Sequence, residues 1–282
     1  MKKWAFGFII LSSLVQAQEA PPDSTPAKPW KHSLVGALTT NQVSFSNWAQ
    51  GGEDALSWAS LLDGKSVYEK DRISVTNSYK MGYGRTKLGE RGMRKSEDRI
   101  ELESVLIRKL GGHLHPYLAA TLKTQFDKGL TYDADGLSTA VSDFFDPGYL
   151  TQALGVSYEP GKQFKTRIGL ALREVFTHRF VRYADDPKTS KIEKSLVQGG
   201  LESATNVEVK LAENMLFTSS IELFDAFNNL DEVVVRSNNN LTIKASKLVT
   251  VIINLQLIQE KRITPRTQLK ESMAIGLSYT FL

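Results

Sequence analysis

Cysteine is absent from the 282 residues. A lipid-anchored lipoprotein needs one at its cleavage site and a disulfide needs two, so both are excluded. No apolar run reaches the roughly 18–20 residues that a transmembrane helix requires. The apolar stretch from Trp4 to Val15 is too short for that. With Lys2 and Lys3 before it and Val15-Gln16-Ala17 after it, it reads as a secretory signal peptide over 1–17. Charge of one sign is also missing: 35 Lys and Arg stand against 31 Asp and Glu, and two of the lysines leave with the leader. A near-neutral mature chain gives a nucleic-acid partner no electrostatic basis. No repeat at a period of about 20–50 residues is visible.

What is present begins with a tether. Residues 18–30 include EAPPDSTPAKPW, four prolines among small and polar residues, which predicts an extended periplasmic linker. From residue 31 onward helical spacing is almost wholly lacking and the period is two. Ile73, Val75, Tyr79, Met81 and Tyr83 alternate with Ser74, Thr76, Ser78, Lys80 and Gly82; Leu114, Leu118 and Leu122 alternate with His115, Tyr117, Thr121 and Lys123. Successive side chains on a strand point to opposite faces, so each segment carries one apolar and one polar face. About twelve such segments are predicted, near 32–43, 54–69, 71–86, 97–110, 113–126, 148–159, 163–178, 196–211, 214–226, 232–246, 248–260 and 268–282. Alternation is poor near 32–43 and 232–246, and Ile252 and Ile258 fall on the polar face of 248–260.

The joins between segments alternate short and long. Tiny turns at Lys70, Gly111-Gly112, Pro160-Gly161-Lys162, Ala212-Glu213 and Lys247 interleave with longer joins at 44–53, 87–96, 127–147, 179–195, 227–231 and 261–267. Outer-membrane barrels have tight periplasmic turns and longer outer loops. An even strand count puts both chain ends on the short-turn side. Trp58 and Tyr68 share a strand face ten residues apart; at ~3.3 Å per residue and a tilt of about 45° that is roughly 23 Å of depth, near the ~25 Å apolar band between aromatic girdles. The expected fold is therefore an all-β, antiparallel transmembrane barrel over 31–282. The final Ser-Tyr-Thr-Phe-Leu resembles the C-terminal signal read by the outer-membrane assembly machinery, with the aromatic Phe281 penultimate rather than last.

Residues 47–54, NWAQGGED, lie in the first long join. This motif and the 12-strand pattern together resemble an uncharacterised Gram-negative outer-membrane β-barrel family, a domain of unknown function with an Asn-Trp-x-x-Gly-Gly-Glu-like signature. The residues carrying it are Asn47, Trp48, Gly51, Gly52 and Glu53. The resemblance implies outer-membrane residence and no known reaction. Read from the residues, the segment is a glycine-relaxed corner with interfacial tryptophans, and the alternative is a loop whose Glu53 and Asp54 face a ligand.

Lumen charges are the main candidate site. Lys80, Glu101, Glu103 and Lys123 lie on polar faces of three consecutive strands; Arg167 and Arg173, with Lys165, form a basic stripe beside an acidic one of Glu202 and Glu208. Opposite signs on neighbouring strands predict cross-strand ion pairs. These either fill a narrow interior or line a small polar channel. Twelve strands lie between a filled eight-stranded barrel and an open porin. The expected function is a narrow passive channel for small polar solutes, the alternative a closed barrel whose outer loops bind a partner.

Catalytic and metal readings are thin. His113 and His115 could be two metal ligands, but no third is visible. His178 with Glu174 lacks the nearby serine that a hydrolase would need, which leaves an outer-membrane hydrolase as a distant third reading. Asp133-Ala-Asp135-Gly136 opens like a calcium loop, yet Phe144 takes the twelfth position where a bidentate Glu belongs. No cofactor, metal or enzymatic activity is expected.

Overall fold

The computed structural model describes residues 29–45, 52–186, 189–230 and 232–280. Fourteen strands run through the described residues: β1 Trp30–Val43, β2 Ala55–Lys70, β3 Ile73–Leu88, β4 Arg94–Arg108, β5 Leu114–Thr124, β6 Gly129–Tyr132, β7 Ser138–Ser142, β8 Gly148–Tyr158, β9 Phe164–Phe176, β10 Ser195–Ala212, β11 Met215–Ala226, β12 Val234–Lys244, β13 Val249–Gln259 and β14 Gln268–Thr280. Twelve of them close into an antiparallel barrel in chain order, with β14 meeting β1. Closure removes the sheet edges that so much apolar strand surface would otherwise leave exposed.

β6 and β7 form a separate hairpin within the 125–147 join. From the sequence this stretch reads as one loop, because strands of four and five residues are too short for a period of two to stand out. A single 3-10 turn, Val181–Tyr183, sits in the 177–194 join. The leader, the tether up to residue 28, Asn47, Trp48 and Gly51 of the motif, and Phe281 lie outside the described residues.

The predicted strands coincide with the observed ones to within a few residues. The first short turn falls at Asp71-Arg72 rather than Lys70, with Asp71 at a φ of 53°. The outer join at 89–93 is five residues long, no longer than the opposite-end turn at 109–113. The contrast between the two ends therefore rests on the other outer joins, above all 125–147 and 177–194.

Alternation sets what faces where. Leu106, Leu114, Leu118, Leu154, Ile168, Leu170, Ile253 and Ile275 project outward and are exposed. Aromatic pairs mark both ends of this band. Trp30 meets Tyr68 at 5.2 Å and His113 meets Tyr158 at 6.2 Å at the short-turn end; Trp58 meets Tyr83 at 5.9 Å at the other. Inward, Val105, Tyr117, Ala119, Ala153, Ala171, Phe224 and Ala226 form a buried cluster against the wall from β4 to β11. The facing wall instead presents small and polar side chains, among them Thr39, Ser74, Asn240, Asn254, Ser272 and Ser278, as the register dictates. One half of the lumen is packed and the other is polar.

Candidate functional site: charged lumen and outer mouth

Lys80, Glu101 and Lys123 are direct register partners on β3, β4 and β5, all pointing inward. Their charges do not pair as neighbours. Lys123 forms its ion pair with Glu222 on β11, across the lumen. Lys80 and Glu101 join no ion pair among the described residues and line a cavity instead. Glu103 also reaches across: the Arg167 guanidinium donates to it at 2.6 Å, passing β5 and β8. The same guanidinium donates to Glu202 at 3.2 Å on adjacent β10, the neighbour-strand geometry expected from the two stripes. Arg173 donates to Glu260 at 2.6 Å, and Glu260 also accepts from Arg236 at 3.0 Å. Glu208 and Lys165 face inward near the short-turn end and are exposed, with no ion pair among the described residues.

Several chords were therefore missed from sequence: Glu222, Arg236, Glu260, and the pair of Glu97 on β4 with Lys270 on β14. Glu97, Glu222, Arg236 and Lys270 all occupy polar faces of predicted strands, so a face-by-face tally of charges would have found them. Which charge meets which depends on barrel curvature, and a linear sequence does not encode that directly.

Small residues make room for the chords. A Cβ on Gly169 would lie 2.6 Å from the Tyr117 hydroxyl and 2.2 Å from the Leu154 carbonyl; one on Gly155 would lie 2.2 Å from the Ile168 carbonyl. Tyr117 thus lies over two glycines, with Arg167 at 5.7 Å from its ring. Above this packed layer, in the half of the barrel nearer the long loops, a cavity of about 320 Å³ is bounded by Lys80, Arg99, Lys123, Arg236 and Lys270 with Glu97, Asp98, Glu101 and Glu222. Ile258, one of the two apolar exceptions on its strand's polar face, lines it as well.

The outer joins are tied to one another. The Asp146 carboxylate, buried, accepts backbone N–H bonds from His178 (3.0 Å) and Arg179 (2.7 Å), with a longer one from Phe180. Tyr183 donates to the Val141 carbonyl at 3.1 Å, and Arg262 donates to the carbonyls of Ala184 and Asp185 at 2.9 and 2.8 Å. In the 125–147 join, the Tyr83 hydroxyl and the Lys128 N–H donate to Asp127, and together they hold its carboxyl below the usual carboxylate range.

The described part of the first-loop motif is used locally. Gly52 has a φ of 139°, and a Cβ there would meet the Phe45 ring at 2.5 Å. Asp54 accepts the Phe45 N–H at 2.8 Å, and the Glu53 carboxylate lies against Gly89 of the next join. His115 accepts the Leu110 N–H at 3.2 Å, while His113 packs on Tyr158. No group of three His, Cys, Asp or Glu that could hold a metal occurs among the described residues. No serine hydroxyl bonds the His178 ring among them either.

A family model described as "Protein of unknown function (DUF3078)" matches residues 40–130, which includes the NWAQGGED motif. That is a narrower stretch than the 31–282 over which the sequence resemblance extends. No curated protein sequence matches the chain. Among solved structures, the chain is similar to the COG4313 outer membrane channel from Pseudomonas putida F1, at 14% identity over 93% of this chain and 99% of that one, with a TM-score of 0.40. It is also similar to the translocator domain of the autotransporter NalP from Neisseria meningitidis, at 11% identity over 91% and 90%, TM-score 0.37. A third likeness is OmpT, an outer membrane protein of Vibrio cholerae, at 9% identity over 91% and 99%, TM-score 0.30.

Proposed function

We propose that this chain is a narrow passive channel for small polar solutes in the outer membrane of a Gram-negative bacterium, exported by a cleaved leader at 1–17. The observation that carries the channel reading is the cavity of about 320 Å³ inside the barrel, bounded by charges of both signs. Charged rings in a confined pore select and steer ions. Beneath it the wall of β12–β14 and β1–β3 places Asn240, Asn254, Ser272, Thr39 and Ser78 at inward positions, hydrogen-bond partners for a hydrated solute. Membrane residence is supported by the exposed apolar band and by the aromatic pairs at both its ends.

A second reading has its own observation. Arg167 bridges Glu103 and Glu202 over a buried apolar cluster, which favours a lumen closed at mid-height and outer loops that meet a partner. Conductance of the purified mature protein in a planar lipid bilayer separates the two. Discrete steps, with ion selectivity that moves toward cations in Lys80→Glu and toward anions in Glu101→Lys, support the channel. This pair is the one to reverse, since Lys123 is held by Glu222. A silent bilayer from protein that still shows the heat-dependent gel shift of a folded barrel overturns the channel in favour of the closed barrel.

A further inference from the structure

The two halves of the lumen differ in charge. Around the cavity near the long loops five cations face four carboxylates, so the signs nearly balance. At the short-turn mouth they do not. Inward positions near the short turns carry Lys31 on β1, Lys65 on β2, Lys165 on β9, Lys210 on β10 and Lys244 on β12, with Lys109 one residue past β4. Register fixes the direction of each. Lys65 opposes Ser78 on the face of β3 that holds Lys80, and Lys244 opposes Thr250, which is buried. Lys165 and Lys210 share their strands' faces with Arg167 and Glu202, Lys109 with Val105, and Lys31 with Thr39.

Against these six lysines the same inward faces offer Glu69, Glu159 and Glu208. The turns at this end add Arg72, Lys162 and Lys247 against Asp71 and Glu213, which leaves the excess positive. Among the described residues only Lys109 of the six is ion-paired, with Glu69 at 3.0 Å, and the other five are exposed. Like charges gathered round one opening repel unless water and counter-ions stand between them. Lysine is a compact, strongly hydrated point charge on a flexible stem, so it discriminates by sign rather than by the shape of a bound group. Two residues beyond Ser78, about 6.6 Å along β3, stands Lys80. There Asp63 and Glu101 flank it in register, so the charges balance again deeper in the lumen. The choice of sign falls to the mouth.

We infer that this crown of six lysines is a selectivity filter and that the solutes of the channel are small anions. Rings of basic side chains line anion-conducting pores. The inference rests on the channel reading given above and adds the sign of what is carried.

The test is the reversal potential of the purified barrel in a planar lipid bilayer across a KCl gradient. At about 0.1 M salt chloride should be preferred over potassium by at least about threefold, and at about 1 M, where the Debye length shrinks to ~3 Å, the preference should fade. Lys65→Glu, Lys165→Glu and Lys210→Glu together make the mouth negative and should turn the preference to potassium. Lys65→Gln, Lys165→Gln and Lys210→Gln together ask less of folding and should remove most of the chloride preference. Lys70→Glu with Arg108→Glu, at the same end but on outward faces, should leave the reversal potential where it was. Open steps with no preference, or with a preference for potassium, overturn the anion filter and leave the channel standing. A chloride preference that survives both lysine triples, or that falls equally in the outward control, does the same. A silent bilayer from heat-shift-positive protein removes channel and filter together, so the two failures are read apart.

Discussion

Arg167 holds two carboxylates from inside a packed layer. Its side chain is 11% exposed, and it bonds Glu103 and Glu202 while lying near the Tyr117 ring. Taking a charge pair out of water costs about as much as the pairing returns, so the intact cluster adds little net stability. Removing one partner is another matter. Arg167→Met leaves Glu202 buried without its counter-charge, and the expected loss is about 3 kcal/mol in urea unfolding from lipid vesicles. Arg167→Met combined with Glu103→Gln and Glu202→Gln should recover most of that loss, because no uncompensated charge then remains. Equal destabilisation by the single and the triple change would mean that packing, not charge, is what Arg167 supplies.

At the level of the strand, glycine carries information that propensity conceals. Glycine weakens a strand, and a β-branched residue usually improves one. Gly169 should behave in the opposite way, because a Cβ there meets the Leu154 carbonyl at 2.2 Å and Tyr117 at 2.6 Å. Gly169→Val is expected to block folding or cost more than about 3 kcal/mol. Gly161→Ala, in a turn with nothing within 4 Å, should be neutral to within about 0.5 kcal/mol, both read from the heat-dependent gel shift and urea unfolding. The strands themselves were legible because alternation is a local property: Leu114, Leu118 and Leu122 declare their face within nine residues. Even the weakly alternating segments at Trp30–Val43 and Val234–Lys244 fall in place, since closure demands a strand there. The ion pairs were legible only in part. Arg167 with Glu202 could be read because the two strands are joined by chain and differ in sign. Lys123 with Glu222, 99 residues apart, could not, because that contact exists only once the wall has curved round. The β6–β7 hairpin was hidden for a third reason: strands of four and five residues are too short for a period of two to stand out.

Over the whole molecule the lumen is divided lengthwise. The wall from β4 to β11 carries most of the buried apolar cluster, and the wall from β12 round to β3 presents hydroxyls and amides among charges such as Lys80, Arg236 and Lys270. Packing and polarity are thus assigned to opposite sides of one tube. The outer face shows a similar economy of means. Residues 125–147, 177–194 and 260–267 are far apart in the chain, yet Asp146, Tyr183 and Arg262 bind them together. To an antibody or a phage tail fibre that face is one surface assembled from three segments. Serum raised on a peptide copied from a single segment should recognise denatured protein and ignore intact cells. Serum raised on the folded barrel should do the reverse, and Asp146→Ala, which releases the backbone of residues 178–180, should abolish much of its binding while the barrel still passes the gel-shift test. Undiminished recognition of the Asp146→Ala protein would mean that the segments are seen one at a time after all.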